Sequence, residues 1–176
     1  EYALMLFSGD GVESDLEEAA RLFKNAATRG FVQSMYNYAW MLLKGRGIEK
    51  NKEEAAKFFK KAADQGDIPS MKKISLMYDT GDGVSVDHPL AAYYFKLAAD
   101  KGDVESMYEY GLKCFKGEGV KLNHKEAYRY FEMGAAHGPL DSFFSCAQVL
   151  DVGQDFKTDK KEAALIYKQA AENGHI

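Results

Sequence analysis

Cysteine is scarce in this chain, with only Cys114 and Cys146 among 176 residues, and no Asn-x-Ser/Thr acceptor is present. That excludes a disulfide-built scaffold and favours a reducing compartment such as the cytoplasm, although the chain carries no address. The two cysteines do not stand at a metal-binding spacing and read as inert packing residues. No apolar run approaches the ~18 residues that span a bilayer. The opening residues, Glu1 to Phe7, lack the basic flank of a signal peptide. Blocks of like charge are missing too: 23 Lys and Arg are interspersed with 27 Asp and Glu, for a net charge of -4. Without a clustered basic face a nucleic-acid partner is disfavoured, and direct membrane insertion is not expected.

Signatures of chemistry are equally sparse. The histidines His88, His124, His137 and His175 form no i, i+4 pair, so no metal site is expected. Asp79-Thr80-Gly81-Asp82-Gly83 lacks the later Glu and the Asp spacing of a calcium loop. No nucleophile stands beside a base in any recognisable motif, and neither catalytic residues nor a cofactor are expected.

What the chain does have is a period. Gly9, Gly45, Gly81, Gly117 and Gly153 are each 36 residues apart, as are Gly30, Gly66, Gly102, Gly138 and Gly174. Ala19, Ala55, Ala91, Ala127 and Ala163 keep the same step, and so do Phe23, Phe59, Phe95, Phe131 and Tyr167. Columns that agree five times without an insertion mark a solenoid, in which each unit buries its apolar face only against its neighbours. The units run over roughly 1-32, 33-68, 69-104, 105-140 and 141-176 of a single array.

Each unit reads as two helices, for example over 70-80 and 89-101. In the second helix of repeat two, Ala55, Phe59, Ala62 and Ala63 share one face, while Glu53, Glu54, Lys57, Lys60 and Lys61 take the other. Alanine beside one aromatic admits a close antiparallel partner, so Ala62→Leu is expected to clash. Gly81-Asp82-Gly83-Val84 and its copies join the helices: glycine supplies the positive φ that ends the first helix, and Val or Ile tucks back against the hairpin. Asp15, Asn51, Asp87 and Asn123 stand in one column as N-caps of the second helices.

Ile74 to Val84, followed by Ala91-Ala92-Tyr93-Tyr94-Phe95-Lys96-Leu97-Ala98-Ala99-Asp100-Lys101-Gly102, resembles the Sel-one-like repeat (SLR) family, a relative of the tetratricopeptide repeats. The match covers essentially the whole chain. The resemblance implies an all-α, right-handed α/α superhelix of five 36-residue helix-turn-helix repeats, with the first helices lining a concave face. It also implies scaffolding roles, including adaptors of ubiquitin ligases and signalling assemblies. Asp155 and Phe156 depart from the pattern after Gly153, and Gly134 replaces the Ala of its column. Cysteine-rich bacterial members linked to β-lactam binding look disulfide-stapled within every repeat, which two cysteines in separate repeats cannot supply.

In the first helices, the side opposite Ser34, Tyr38 and Leu42 carries an apolar stripe: Leu4 and Phe7; Tyr36, Trp40 and Leu43; Leu76; Tyr108, Leu112 and Phe115; and Phe144. Trp and Tyr outside a hairpin core suggest a groove that binds another protein or peptide segment, anchored in repeats two and four. The competing reading buries these residues between adjacent first helices. Lys44, Lys72, Lys73 and Lys116 with Asn37 offer a weaker candidate, a clamp for a peptide carboxylate, since a charged column is usually a solvated edge and Asp79 and Asp151 interrupt this one.

The functional expectation is therefore a protein-protein interaction scaffold or adaptor with no enzymatic activity. The alternative is a rigid spacer arm attached to a catalytic or membrane-anchored domain elsewhere. Glu1 starts inside a helix and Ile176 follows a helix stop without a polar capping helix, so a longer parent array and end-to-end self-association are also expected.

Overall fold

A computed structural model describes residues 1-136, 140-152 and 160-172, and the described residues form ten α-helices and no strand. Their order is α1 Tyr2–Ser8, α2 Leu16–Thr28, α3 Val32–Lys44, α4 Lys52–Asp64, α5 Ile68–Thr80, α6 His88–Asp100, α7 Val104–Lys116, α8 His124–Ala135, α9 Leu140–Val152 and α10 Lys160–Glu172. The chain divides into two compact units, Glu1–Asp87 and His88–Ile176. In the first, α1 packs on α2, α2 on α3, α3 on α4 and α4 on α5. In the second, α6 through α10 follow the same succession. This is an α-solenoid of helix-turn-helix repeats.

The start and stop of each helix follow from a few residues. Asp15, Asn51 and Asn123 accept the backbone N–H of Glu18, Glu54 and Glu126 at 2.9, 2.8 and 3.0 Å, capping α2, α4 and α8. Asp67 and Asp103, which periodicity alone did not single out, cap α5 and α7 by accepting from Ser70 and Ser106, each at 2.9 Å. At the other end, Gly9, Gly45, Gly81 and Gly117 close α1, α3, α5 and α7 in the left-handed region. The second helices end differently. The Phe31 N–H reaches back to the Ala26 carbonyl and the Gly30 N–H to that of Ala27, and the pattern repeats at Gly66-Asp67 and Gly102-Asp103. These paired bonds satisfy carbonyls that a helix end otherwise leaves open.

Within each hairpin the alanines vanish from the surface: Ala19, Ala55, Ala91 and Ala127 are fully buried, as is Ala62, where Leu was expected to clash. Phe59, Phe95 and Phe131 are buried beside them. Gly111 is the small residue of α7 at the same kind of contact, since a Cβ there would lie 2.6 Å from Phe131 Cε1. Gly134, the departure from the alanine column, faces Ser142 of α9, whose Oγ would be 2.9 Å from an added Cβ. Cys114 and Cys146 are free and buried in the core of the second unit. Burial pushes both thiols up, and with the charge of Glu132 nearby that of Cys146 reaches about 12. The expected turn at Asp155 and Phe156, with Gly138, Gly153, Gly174, His137 and His175, lies outside the described residues.

The second glycine of each Gly-x-Gly turn has a reason that the turn alone does not supply. A Cβ on Gly47 would stand 2.1 Å from the Leu16 carbonyl oxygen, and one on Gly83 would stand 2.6 Å from that of Lys52. In the second unit, a Cβ on Gly119 would stand 2.2 Å from the His88 carbonyl oxygen. The turn of one repeat therefore rests on the first residue of the preceding repeat's second helix, backbone against backbone. Lys52 adds an ion pair to Asp82 at 2.5 Å across the same junction.

Candidate functional site

The first helices of the unit formed by residues 1-87 bring four of the expected groove residues together. Leu4, Phe7, Tyr36 and Trp40, with Phe23 and Asn37, line a cavity of about 290 Å³ between α1, α2 and α3. Leu4 is 46% exposed, while Phe7, Tyr36 and Trp40 are half-buried. The two aromatics of α3 lean edge-on against the buried Phe59 ring, each with its centroid 5.8 Å away. They also meet each other at 6.2 Å and 74°. Three rings locked edge to face hold the cavity wall in one arrangement without filling the space in front of it.

Leu43 does not belong to this surface. It is only 6% exposed, against the expectation that it faces the groove. At about 100° per residue, Leu43 stands about 40° around α3 from the fully buried Ala39, whereas Trp40 stands about 100° from it, so the stripe tilts inward at Leu43. Leu76 is 45% exposed on α5, outside the lining of this cavity. In the second unit Tyr108, Leu112 and Phe115 are half-buried and pack against the core cluster around Phe131 and Cys114. The Tyr108 ring lies 5.8 Å from that of Phe131, Phe115 lies 5.4 Å from His124, and Phe144 lies 5.3 Å from Tyr167. These residues are thus partly spent on the second helices of their own hairpins, a packing different from the burial between adjacent first helices that was the competing expectation.

Cations stack on two of the rings that line the cavity, contacts that spacing did not reveal. Lys44 and Lys73 stand over the Trp40 ring at 5.5 and 5.2 Å from its centroid, and Arg46 stands over Phe7 at 4.3 Å. Desolvation, reinforced by the like charges of Lys44 and Lys52 and partly offset by Asp82, holds the Lys73 ammonium below its usual pKa. The signal for Arg46 lies in the turn Gly45-Arg46-Gly47, whose geometry aims the side chain back at α1. Trp40 Nε1 and Asn37 Nδ2 are buried without an acceptor among the described protein atoms.

A wider depression of about 790 Å³ lies at Tyr2, Leu6, Ser14 and Gly47 and includes Glu13, Asp15 and Glu17. It is larger but open, walled by the loop before α2, and it holds none of the aromatic stripe. The cavity at Trp40 is the stronger candidate because enclosure and ring packing, more than volume, make a binding seat. Among the described residues, no helix is long and apolar enough to cross a membrane.

The family model for the Sel1 repeat matches residues 1-31, 32-67, 68-103, 104-139 and 146-175. Among solved structures, the chain is similar to a Sel1 repeat protein from Oxalobacter formigenes at 30% identity and a TM-score of 0.86, over 99% of this chain and 72% of that one. It is also similar to a protective antigen of uropathogenic Escherichia coli strains displaying an SLR fold, at 28% identity and a TM-score of 0.84. That match covers 98% of this chain but only 37% of the antigen. Cysteine rich protein B of Helicobacter pylori shares the fold at 24% identity and a TM-score of 0.55, over 76% of this chain and 96% of that protein. No curated protein sequence matches. Sel1 repeat proteins are generally protein-interaction scaffolds, and their fold is typically non-catalytic. With five matched repeats and ten helices in the same succession, this chain belongs to the Sel1 repeat family.

Proposed function

We propose that this chain is a protein-interaction module that seats an apolar side chain of a partner segment in the cavity between α1 and α3, with Trp40 and Tyr36 as its anchors. The observation that carries this reading is the cavity itself: four apolar and aromatic residues from two successive first helices converge on a space of about 290 Å³. That volume is at the low end for a small-molecule pocket and suits a side chain projecting from a polypeptide. Aromatic anchors in a partly enclosed seat are where binding energy concentrates in protein interfaces. On this reading, adjoining exposed residues such as Leu76 extend the contact along the partner.

The test is affinity capture with the wild-type array and with Trp40→Glu and Tyr108→Glu variants, after circular dichroism shows equal helicity. Captured proteins are identified and their binding is measured directly with purified material. The expected result is a partner that binds the wild type and loses at least about tenfold in affinity with Trp40→Glu, the behaviour of a hot-spot residue. If every partner binds both variants as it binds the wild type, this face is not the working surface and the spacer-arm reading takes its place.

A further inference from the structure

Carboxylates are distributed unequally between the helices of the first unit. α2 and α4 carry Glu17, Glu18, Glu53, Glu54 and Asp64, balanced by Arg21, Lys24, Lys52, Lys57, Lys60 and Lys61, while α1 and α3 contain no carboxylate and α5 has only Asp79 against Lys72 and Lys73. A chain of net charge -4 thus sets three cations, Lys44 of α3, Lys73 of α5 and Arg46 of the turn after α3, against rings that line the aromatic cavity. Lys44, Lys73 and Arg46 make ring contacts there, and among the described residues none of the three has a carboxylate within ion-pair distance. The corresponding helix of the second unit, α7, is mixed, with Glu105 and Glu109 beside Lys113 and Lys116.

We infer that the occupant of the Trp40 cavity is an acidic polypeptide segment: an aliphatic or aromatic residue flanked by Asp or Glu, its side chain in the cavity and its carboxylates against Lys44, Lys73 and Arg46. This rests on the proposed binding role and adds the partner's chemistry. The stacked cations leave their outward N–H groups free to donate to carboxylate oxygens while still covering the rings, and charge-assisted bonds of this kind fix orientation. At Lys73 a partner carboxylate would add to the attraction of Asp82, against desolvation and the like charges of Lys44 and Lys52. A basic segment would set like charges together at the cavity mouth.

Two measurements test this. Trp40 is the only tryptophan, so its fluorescence reports the cavity alone. With each quencher referenced to its effect on free N-acetyltryptophanamide, iodide should quench it several-fold more than caesium at low ionic strength, and this referenced preference should fall toward unity near 0.5 M salt, where the screening length is only a few ångströms. The Lys44→Gln/Lys73→Gln variant should lose the preference. Equal quenching, or stronger quenching by caesium, would overturn the charge assignment. Second, a displayed library of short random peptides is selected on the wild-type array and counter-selected on Trp40→Ala. The enriched peptides should carry an apolar residue between acidic ones, and Lys73→Glu should weaken their binding by about tenfold or more. Enrichment of neutral or basic flanks with the same Trp40 dependence would overturn the acidic partner and leave the apolar seat standing. A library yielding no Trp40-dependent peptide would overturn both.

Discussion

The second glycine of the turns allows a sharp test, because two copies with the same backbone conformation have different surroundings. Gly11 and Gly47 sit at φ 75 and 67. Replacing either with Ala places an L-residue in the left-handed region, at a cost of roughly 1 kcal/mol. For residues 1-176 tested by themselves that is the whole effect at Gly11, where the new Cβ meets only Met5 Cε at an ordinary 3.5 Å. At Gly47 the Cβ would be 2.1 Å from the Leu16 oxygen and 2.3 Å from its carbonyl carbon, so two backbones must separate by about 1 Å or more. Overpacking of this kind costs roughly 1-3 kcal/mol where side chains can move, and here no side chain can yield. The expectation is a loss of about 1 kcal/mol for Gly11→Ala and about 3-5 kcal/mol for Gly47→Ala, which for a chain of this size is a difference of very roughly 10 °C in Tm. Since solenoid stability is a sum over neighbouring interfaces, the Gly47→Ala damage should fall on the junction of repeats one and two and split the urea transition followed by circular dichroism. If the two variants agree within 0.5 kcal/mol, close approach between repeats is not why the second glycine is there.

Three further tests follow from the same packing. Gly111→Ala should destabilise by about 1-3 kcal/mol because its Cβ meets the fixed Phe131 ring, whereas Gly134→Ala meets only the rotatable Ser142 hydroxyl and should be close to neutral by thermal melts, its gain in helix propensity offsetting the contact. Tyr130→Phe removes the hydrogen bond from the phenol to Asp100 at 2.5 Å and should cost about 1 kcal/mol at pH 7, discounted for the exposure of Asp100. Burial alone would raise the Asp100 pKa, but bonds from Lys96 and Tyr130 outweigh it and hold the carboxyl below its usual value. Stability from a depressed carboxylate is present above the unfolded pKa and lost as pH falls through the folded one, so the penalty of Tyr130→Phe should shrink below about pH 4. Cys114 and Cys146 should resist thiol reagents in the native state at pH 8 and react fully in denaturant. Because the Cys146 pKa is raised to about 12, its contribution is intact below the unfolded value near 9 and lost between there and 12, giving alkaline unfolding in that window.

The repeat was legible because each of its requirements is local. Positive φ at Gly45 or Gly81 admits few residues but glycine, and the alanine columns mark where one helix must lie against another, so the expected helices over 70-80 and 89-101 differ from the observed α5 and α6 by only one or two residues. The reason for Gly47 was hidden because its constraint comes from Leu16 in another repeat, 31 residues earlier. The clasp of Lys96 and Tyr130 on Asp100 was hidden in the same way, although Lys60 and Asp64 stand one period before Lys96 and Asp100, as Tyr94 does before Tyr130. Such residues look like ordinary surface charge until the next repeat is stacked upon them.

The candidate site was legible in its composition and less so in its shape, and the difference shows how a repeat protein acquires a function. A column fixes which way a residue points, but its neighbours decide whether it remains available. Leu4, Trp40, Leu76 and Leu112 occupy one column, yet Trp40 borders a cavity, Leu76 stands exposed and Leu112 packs against the core of its unit. Of the residues that distinguish the Trp40 position, Lys44 recurs only at Lys116, whereas Arg46 aligns with Asp10, Asp82 and Glu118, and Asn37 and Lys73 share a column with Glu109 and Ser145, so their combination does not repeat. Positions that the fold constrains repeat every 36 residues, whereas those that set a partner's chemistry are free to differ. In a solenoid the functional surface is therefore to be sought where an aromatic of the repeated stripe meets charges that break the period, and the face around Trp40 is where this chain meets that condition.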